Sequence, residues 1–78
     1  MLKEQTIEVG SFKKSDNSTI VGKLTTWKND LYIDLREYIE SEGYSGPTKK
    51  GLRFHSENWE QFKNLVKEID EALAKHLS

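Results

Sequence analysis

LYIDLREY, residues 31–38, is the stretch whose reading decides the fold of this chain. Leu31, Ile33 and Leu35 alternate with Tyr32, Asp34, Arg36 and Tyr38, the period of two expected of a strand with one face buried. The displayed face carries two aromatic rings and a guanidinium, which suits a binding platform. A merely solvated outer face is the plainer reading of such a strand taken alone. Just upstream, residues 19–27 supply a second strand, and Asn29-Asp30 reads as a tight hairpin turn that brings the chain back antiparallel. With that turn Trp27 lies opposite Tyr32, Lys23 opposite Arg36 and Val21 opposite Tyr38. A slip of two residues changes these partners but leaves the faces intact, because parity alone decides them. Trp27, Tyr32, Tyr38, Lys23 and Arg36 are therefore expected on one surface.

Further upstream, Ile7 and Val9 alternate with Glu8 in a first strand, and Gly10 marks a bulge because the apolar parity slips by one at Phe12. Residues 15–18, Ser-Asp-Asn-Ser, read as a turn. Downstream, residues 41–47 contain Gly43, Gly46 and the chain's one Pro, a loop composition. A short fourth strand follows, with Leu52 and Phe54 facing one way and Lys49 and Arg53 the other. Ser56 is placed to cap a helix whose first turn holds Glu57 and Glu60, where the helix dipole favours negative charge. Trp59, Phe62, Val66, Ile69 and Leu73 recur at spacings of three and four, and Leu65 and Ala72 widen the stripe. The expected architecture is α+β in one domain, a four-stranded antiparallel curved sheet followed by one C-terminal helix. Its strands span about residues 5–13, 19–28, 31–39 and 49–55, and its helix about 57–76.

Seventy-eight residues make one small domain, near the size at which a core supplies only roughly 3–5 kcal/mol. So broad a helical stripe exceeds what one small sheet covers, and a second protomer is the expected remedy, with helices packed about a two-fold axis. The interface residues are Phe62, Leu65, Val66, Ile69, Ala72 and Leu73. With no Cys there is no disulfide framework and no thiolate metal site, and neither a secretory signal nor a membrane-spanning run is apparent. Cytoplasmic residence, including association with a bacterial nucleoid, is the expectation.

The net charge of -1 conceals segregation. Residues 1–28 carry five Lys against three acids, residues 29–46 one Arg against five acids, and residues 47–55 three cations and no acid. Such a local basic face attracts phosphates even on a nearly neutral molecule. Catalysis finds little support. His55 and Ser56 are chain neighbours whose side chains diverge in an extended segment, Asp34 and Glu37 fall on opposite strand faces, and no His/Asp/Glu grouping has ligand spacing. No enzymatic activity, metal or cofactor is expected.

In order along the chain, LYIDLREY, Gly-Pro-Thr-Lys-Lys-Gly-Leu (residues 46–52), Glu-Asn-Trp (57–59) and Lys-Glu-Ile-Asp-Glu-Ala-Leu (67–73) closely resemble the C-terminal domain of the transcriptional positive cofactor four family. The resemblance covers about residues 27–73 and is closest to the short bacterial, YdbC-like members that consist of this domain alone. It implies four antiparallel strands and a helix, a homodimer formed through the helices, and binding of single-stranded DNA across paired curved sheets without enzymatic activity. By the same resemblance Trp27 and Lys28 correspond to a hairpin-tip aromatic and Lys that meet bases and phosphate, Arg36 to the Arg of the third strand, and Lys49 and Lys50 to the basic pair after the Pro. Ile39, Gly46 and Asp30 depart from the family, which has an aromatic, a basic residue and a Lys there.

The expected function is low-specificity binding of single-stranded DNA in transcription, replication or repair. Single strands are held by rings that stack on bases and by cations that follow the backbone. The helix is net acidic and ill suited to a major groove. The candidate residues are Lys23, Trp27, Lys28, Tyr32, Arg36, Lys49, Lys50 and Arg53, with Phe12, Lys13, Lys14 and Tyr38 as weaker members. RNA on the same face is one alternative ligand. A second is a protein of the transcription machinery, met through the acidic segment 37–42.

Overall fold

The computed structural model describes residues 4–77. Four strands, β1 (Gln5–Ser15), β2 (Ser18–Trp27), β3 (Asp30–Ser41) and β4 (Tyr44–His55), form one antiparallel sheet in sequential order. A 3-10 turn (Ser56–Asn58) leads into the helix α1 (Trp59–Leu77). The fold class is thus the one the apolar patterning of the sequence predicts.

Three local expectations are corrected. The β2–β3 turn is Lys28-Asn29, not Asn29-Asp30: both residues have positive φ, 49° and 70°, as a two-residue type I′ turn requires. Trp27 accordingly pairs with Asp30, Thr25 with Tyr32, Lys23 with Asp34, Val21 with Arg36 and Thr19 with Tyr38. The two-residue slip preserves the faces, as parity demands, but it replaces a like-charged Lys23–Arg36 pair with the complementary Lys23–Asp34 pair, which is favourable across a sheet. Residues 44–47 are strand rather than loop. The turn tightens to Glu42-Gly43, and Pro47 is tolerated because β4 is an edge strand. His55, not Ser56, caps the helical segment, since its Nδ1 accepts the Glu57 amide at 3.1 Å.

Two irregularities aim side chains. The β1–β2 register shifts between Glu8 and Gly10, which lets Ile7 and Phe12 pair with Leu24 and Ile20 on the same face despite their odd spacing. In β3–β4, Arg36 pairs with Gly51 and Tyr38 with Pro47, so the three residues 48–50 lie against Glu37 alone. Thr48 fastens this wide bulge, its hydroxyl donating to the Glu37 carbonyl at 2.8 Å while the Lys50 amide donates to that hydroxyl at 3.1 Å. Gly51 is required there, because a Cβ would sit 2.2 Å from the Leu35 carbonyl oxygen.

On the helix side of the sheet, Glu37 is buried among partners. Its carboxylate accepts from Lys14 Nζ at 2.7 Å and Ser18 Oγ at 2.6 Å, with Lys50 Nζ 4.0 Å away. These bonds, Lys14 first, hold its pKa below the usual carboxylate range. Because the folded-state value is lowered, the carboxylate stabilises the fold above its unfolded pKa, and that contribution is lost as pH falls through the folded value. Thermal unfolding from neutral pH down to about pH 3, a span that covers ordinary carboxylate titration, should therefore show melting temperatures that fall on acidification. Glu37→Gln should lower the neutral-pH melting temperature and flatten that acid dependence. An unchanged acid slope in the variant would assign the sensitivity to other carboxylates.

The helix barely joins this structure. No residue of α1 is buried, and Val21 and Ile33 are the buried hydrophobic residues among those described. Phe62 reaches Phe54 at a ring separation of 4.9 Å, and Trp59 packs on Phe62 at 5.7 Å. Beyond them the stripe is open, with Leu65, Val66, Ile69 and Leu73 between 47% and 56% exposed. The radius of gyration is 15.1 Å, against about 11.5 Å for a compact chain of this length. An apolar cleft of about 400 Å³ lies between sheet and helix start, lined by Val9, Leu24, Leu31, Ile33, Trp59 and Phe62.

Candidate nucleic-acid interface

The face of the sheet turned away from the helix is uncovered. Alternation along β2, β3 and β4 brings Lys23, Trp27, Tyr32, Arg36, Tyr38 and Arg53 onto it, and the β1 register adds Lys13 beside Thr19 and Tyr38. Trp27 stands at the hairpin end, 46% exposed, with Lys28 Nζ 5.6 Å from its ring centroid. Beyond it, Arg53 Cζ lies 4.8 Å above the Tyr32 ring. Next along the face, Lys23 Nζ sits 4.6 Å from the Tyr38 ring centroid and donates to the Tyr38 hydroxyl. At the far end Lys13, Thr19 and Tyr38 border a hollow of about 280 Å³. Rings and cations thus alternate along one open surface, with Lys28, Arg53 and Lys23 each close to an aromatic face, an attractive arrangement for both.

The cations differ in how they are engaged. Arg36 is tied down, its Nε 3.1 Å and Nη2 3.4 Å from the two Asp34 carboxylate oxygens and its Nη1 donating to the Thr48 carbonyl at 3.0 Å. The guanidinium therefore binds β3 to the bulge of β4, and Asp34 cancels its charge locally. Lys23 has a neutral hydroxyl as its partner, so its charge remains available to a ligand. At the hairpin end His55 is fixed through both ring nitrogens. The Glu57 amide donates to Nδ1, which leaves the proton on Nε2 for Asp30 Oδ1 at 3.1 Å. Its ring meets Tyr32 edge-on, centroids 5.3 Å apart and planes at 81°.

Not every residue singled out from the sequence shares this surface. Phe12 faces the helix side, because the bulge after Glu8 turns it there together with Ile7. Lys14 follows Phe12 onto the helix side by alternation and reaches Glu37, and the bulge of β4 brings Lys50 toward the same carboxylate. Lys49 is exposed at the bulge on the edge strand. The acidic segment also changes character, since Glu37 is buried and paired, leaving Glu40 and Glu42 exposed near the β3–β4 turn. Asp34, Thr48, His55 and Asp30 organise the surface without having been singled out for it. For Asp34 a signal existed, because pairing Lys23 with an acid instead of Arg36 selects the observed register. Among the described residues no group of three or more His, Asp or Glu is placed to hold a metal ion.

Comparison with known proteins agrees with this architecture. The model of the family described as Transcriptional Coactivator p15 (PC4) matches residues 13–65. An RNA polymerase II transcriptional coactivator of Arabidopsis thaliana, KIWI, is 31% identical over 48 residues, 62% of this chain and 45% of that protein. The chain therefore matches less than half the length of that relative. Among solved structures, a PC4 homologue from Burkholderia pseudomallei superposes with a TM-score of 0.73 at 18% identity, covering 85% of this chain and 98% of the other. A bacteriophage T5 homologue of the eukaryotic coactivator PC4, implicated in recombination-dependent DNA replication, gives 0.57 at 17% identity over 96% and 82%. These two likenesses establish the fold. With a family match that runs from the end of β1 through the first turns of α1, this chain belongs to the PC4 family of transcriptional coactivators.

Proposed function

We propose that the chain is a homodimeric, non-enzymatic single-stranded DNA-binding protein of low sequence specificity that acts in transcription, replication or repair. The observation that carries this reading is the open sheet face on which Trp27, Tyr32 and Tyr38 alternate with Lys23, Lys28 and Arg53. Rings spaced along a groove accept bases of any identity, since every base has a π-face, and the interleaved cations follow the phosphates. Coactivator function in the plant relative and a replication role in the phage homologue fit such an activity. The dimer reading rests on the exposed helical stripe, the apolar cleft beside Trp59 and Phe62, and the extended shape of the single chain. Two protomers whose helices pack on one another would cover that surface and set two platforms side by side.

Titration of labelled oligonucleotides in single-stranded and duplex form tests the proposal. Tighter binding to the single strand, tolerance of base composition and weakening with salt are the expected results. Each phosphate neutralised on a single strand contributes a log-log slope of about -0.7, so four to six contacts give roughly -3 to -4. Equal affinity for duplex and single strand would remove the platform model. Preference for RNA would keep the face and change its ligand.

A further inference from the structure

Arg53 and Arg36 share a face but not a state. Arg36 is ion-paired with Asp34 and donates to the Thr48 carbonyl. Among the described residues Arg53 forms no ion pair with a carboxylate, and its Cζ rests over the Tyr32 ring. A guanidinium is planar, weakly hydrated and suited to stacking, unlike an ammonium. With its Cζ 4.8 Å over the Tyr32 ring, the guanidinium covers that ring face and is placed where its own outer plane can meet a ligand. The support beneath is rigid, because Tyr32 is braced edge-on by His55, which is held by Asp30 of the hairpin end and by the Glu57 amide at the helix start.

We propose that Arg53 and Tyr32 form one composite stacking subsite for a single unpaired nucleobase, the base lying on the Arg53 guanidinium with the Tyr32 ring behind it. This rests on the single-strand-binding function proposed above and assigns Arg53 a stacking rather than a phosphate role. Trp27 pairs with Asp30 and Thr25 with Tyr32, so Trp27 and Tyr32 are diagonal neighbours roughly 7–8 Å apart. Neighbouring bases of one strand therefore occupy the Trp27 ring and the Arg53–Tyr32 pile. Arg36 becomes a positioning residue that holds the bulge of β4 in place.

The test is Arg53→Lys, which keeps the charge and removes the plane, titrated with a single-stranded oligonucleotide across salt concentrations. Base stacking on a side chain is worth enough that binding should weaken roughly 5- to 50-fold with an unchanged salt slope. Tyr32→Leu should cost a similar factor, and the double variant little more than either alone, because the two side chains act as one unit. Near-wild-type affinity of Arg53→Lys, with a slope about 0.7 shallower in Arg53→Ala, would make Arg53 a phosphate contact and overturn the subsite. Arg53 is exposed, so its variants keep the fold, which circular dichroism checks. Should Tyr32→Leu unfold, the Arg53→Lys titration decides by itself. Wild-type protein that binds single strands no better than duplex would remove the proposed function together with the subsite. A wild-type single-strand preference with a silent Arg53→Lys removes the subsite alone.

Discussion

Ile69→Asp should abolish the proposed dimer and with it most of the folded population. In the single chain Ile69 is 56% exposed, and an exposed substitution of this kind normally changes stability by no more than about 0.5 kcal/mol. Packed against a partner helix, the same carboxylate would be buried without a counter-charge, at a cost of roughly 3–5 kcal/mol. That is as large as the whole stability about 80 residues usually supply. The two situations therefore separate cleanly. Light scattering on the wild type should give twice the 9.1 kDa chain mass, and the variant should run as a monomer with reduced helical ellipticity. A variant that stays folded, with the mass and melting temperature of the wild type, would mean that the stripe of α1 is not the interface.

Trp27→Ala should weaken single-strand binding by ~1–3 kcal/mol while leaving the salt slope unchanged, since a stacking ring is lost and no cation with it. Lys49→Ala is the complementary change. It should leave stacking intact and make the slope shallower by about 0.7 if one phosphate contact is lost. Arg36→Ala is a poorer test of charge, because it also leaves Asp34 and the Thr48 carbonyl without their donor. Trp27 is exposed at the hairpin end, so its removal leaves the core untouched. Normal binding by a folded, dimeric Trp27→Ala protein would move the functional face elsewhere. Fluorescence gives an independent measure. The chain has two Trp, so in a Trp59→Phe background oligonucleotide quenching reports on Trp27 alone.

The alternation of Leu31, Ile33 and Leu35 with Tyr32, Asp34 and Arg36 was enough to identify β3 and its two faces. The spacing of Trp59, Phe62, Val66 and Ile69 identified the helix and its apolar side in the same way. These are local periodicities of two and 3.6 residues, imposed by backbone geometry wherever the chain is a strand or a helix. They survive a wrong turn, which is why Trp27, Tyr32, Tyr38, Lys23 and Arg36 share a face although the hairpin closes at Lys28-Asn29. The ordered motifs from residues 27 to 73 likewise carried the family.

What the periodicity left open depends on contacts between distant residues. Parity does not distinguish registers two residues apart, so the choice passed to the turn, and closure at Lys28-Asn29 with both residues at positive φ sets Lys23 opposite Asp34. The wide bulge at residues 48–50 turned Lys50 to Glu37 and gave Arg36 a carbonyl partner. The sequence by itself determined which residues lie on which face, because a residue's face follows from its neighbours along the strand. The tertiary structure alone decided that Lys14 and Lys50 are drawn to Glu37 while Lys23 stays on the open face, because those pairings depend on what other strands place within a few ångströms of each ammonium.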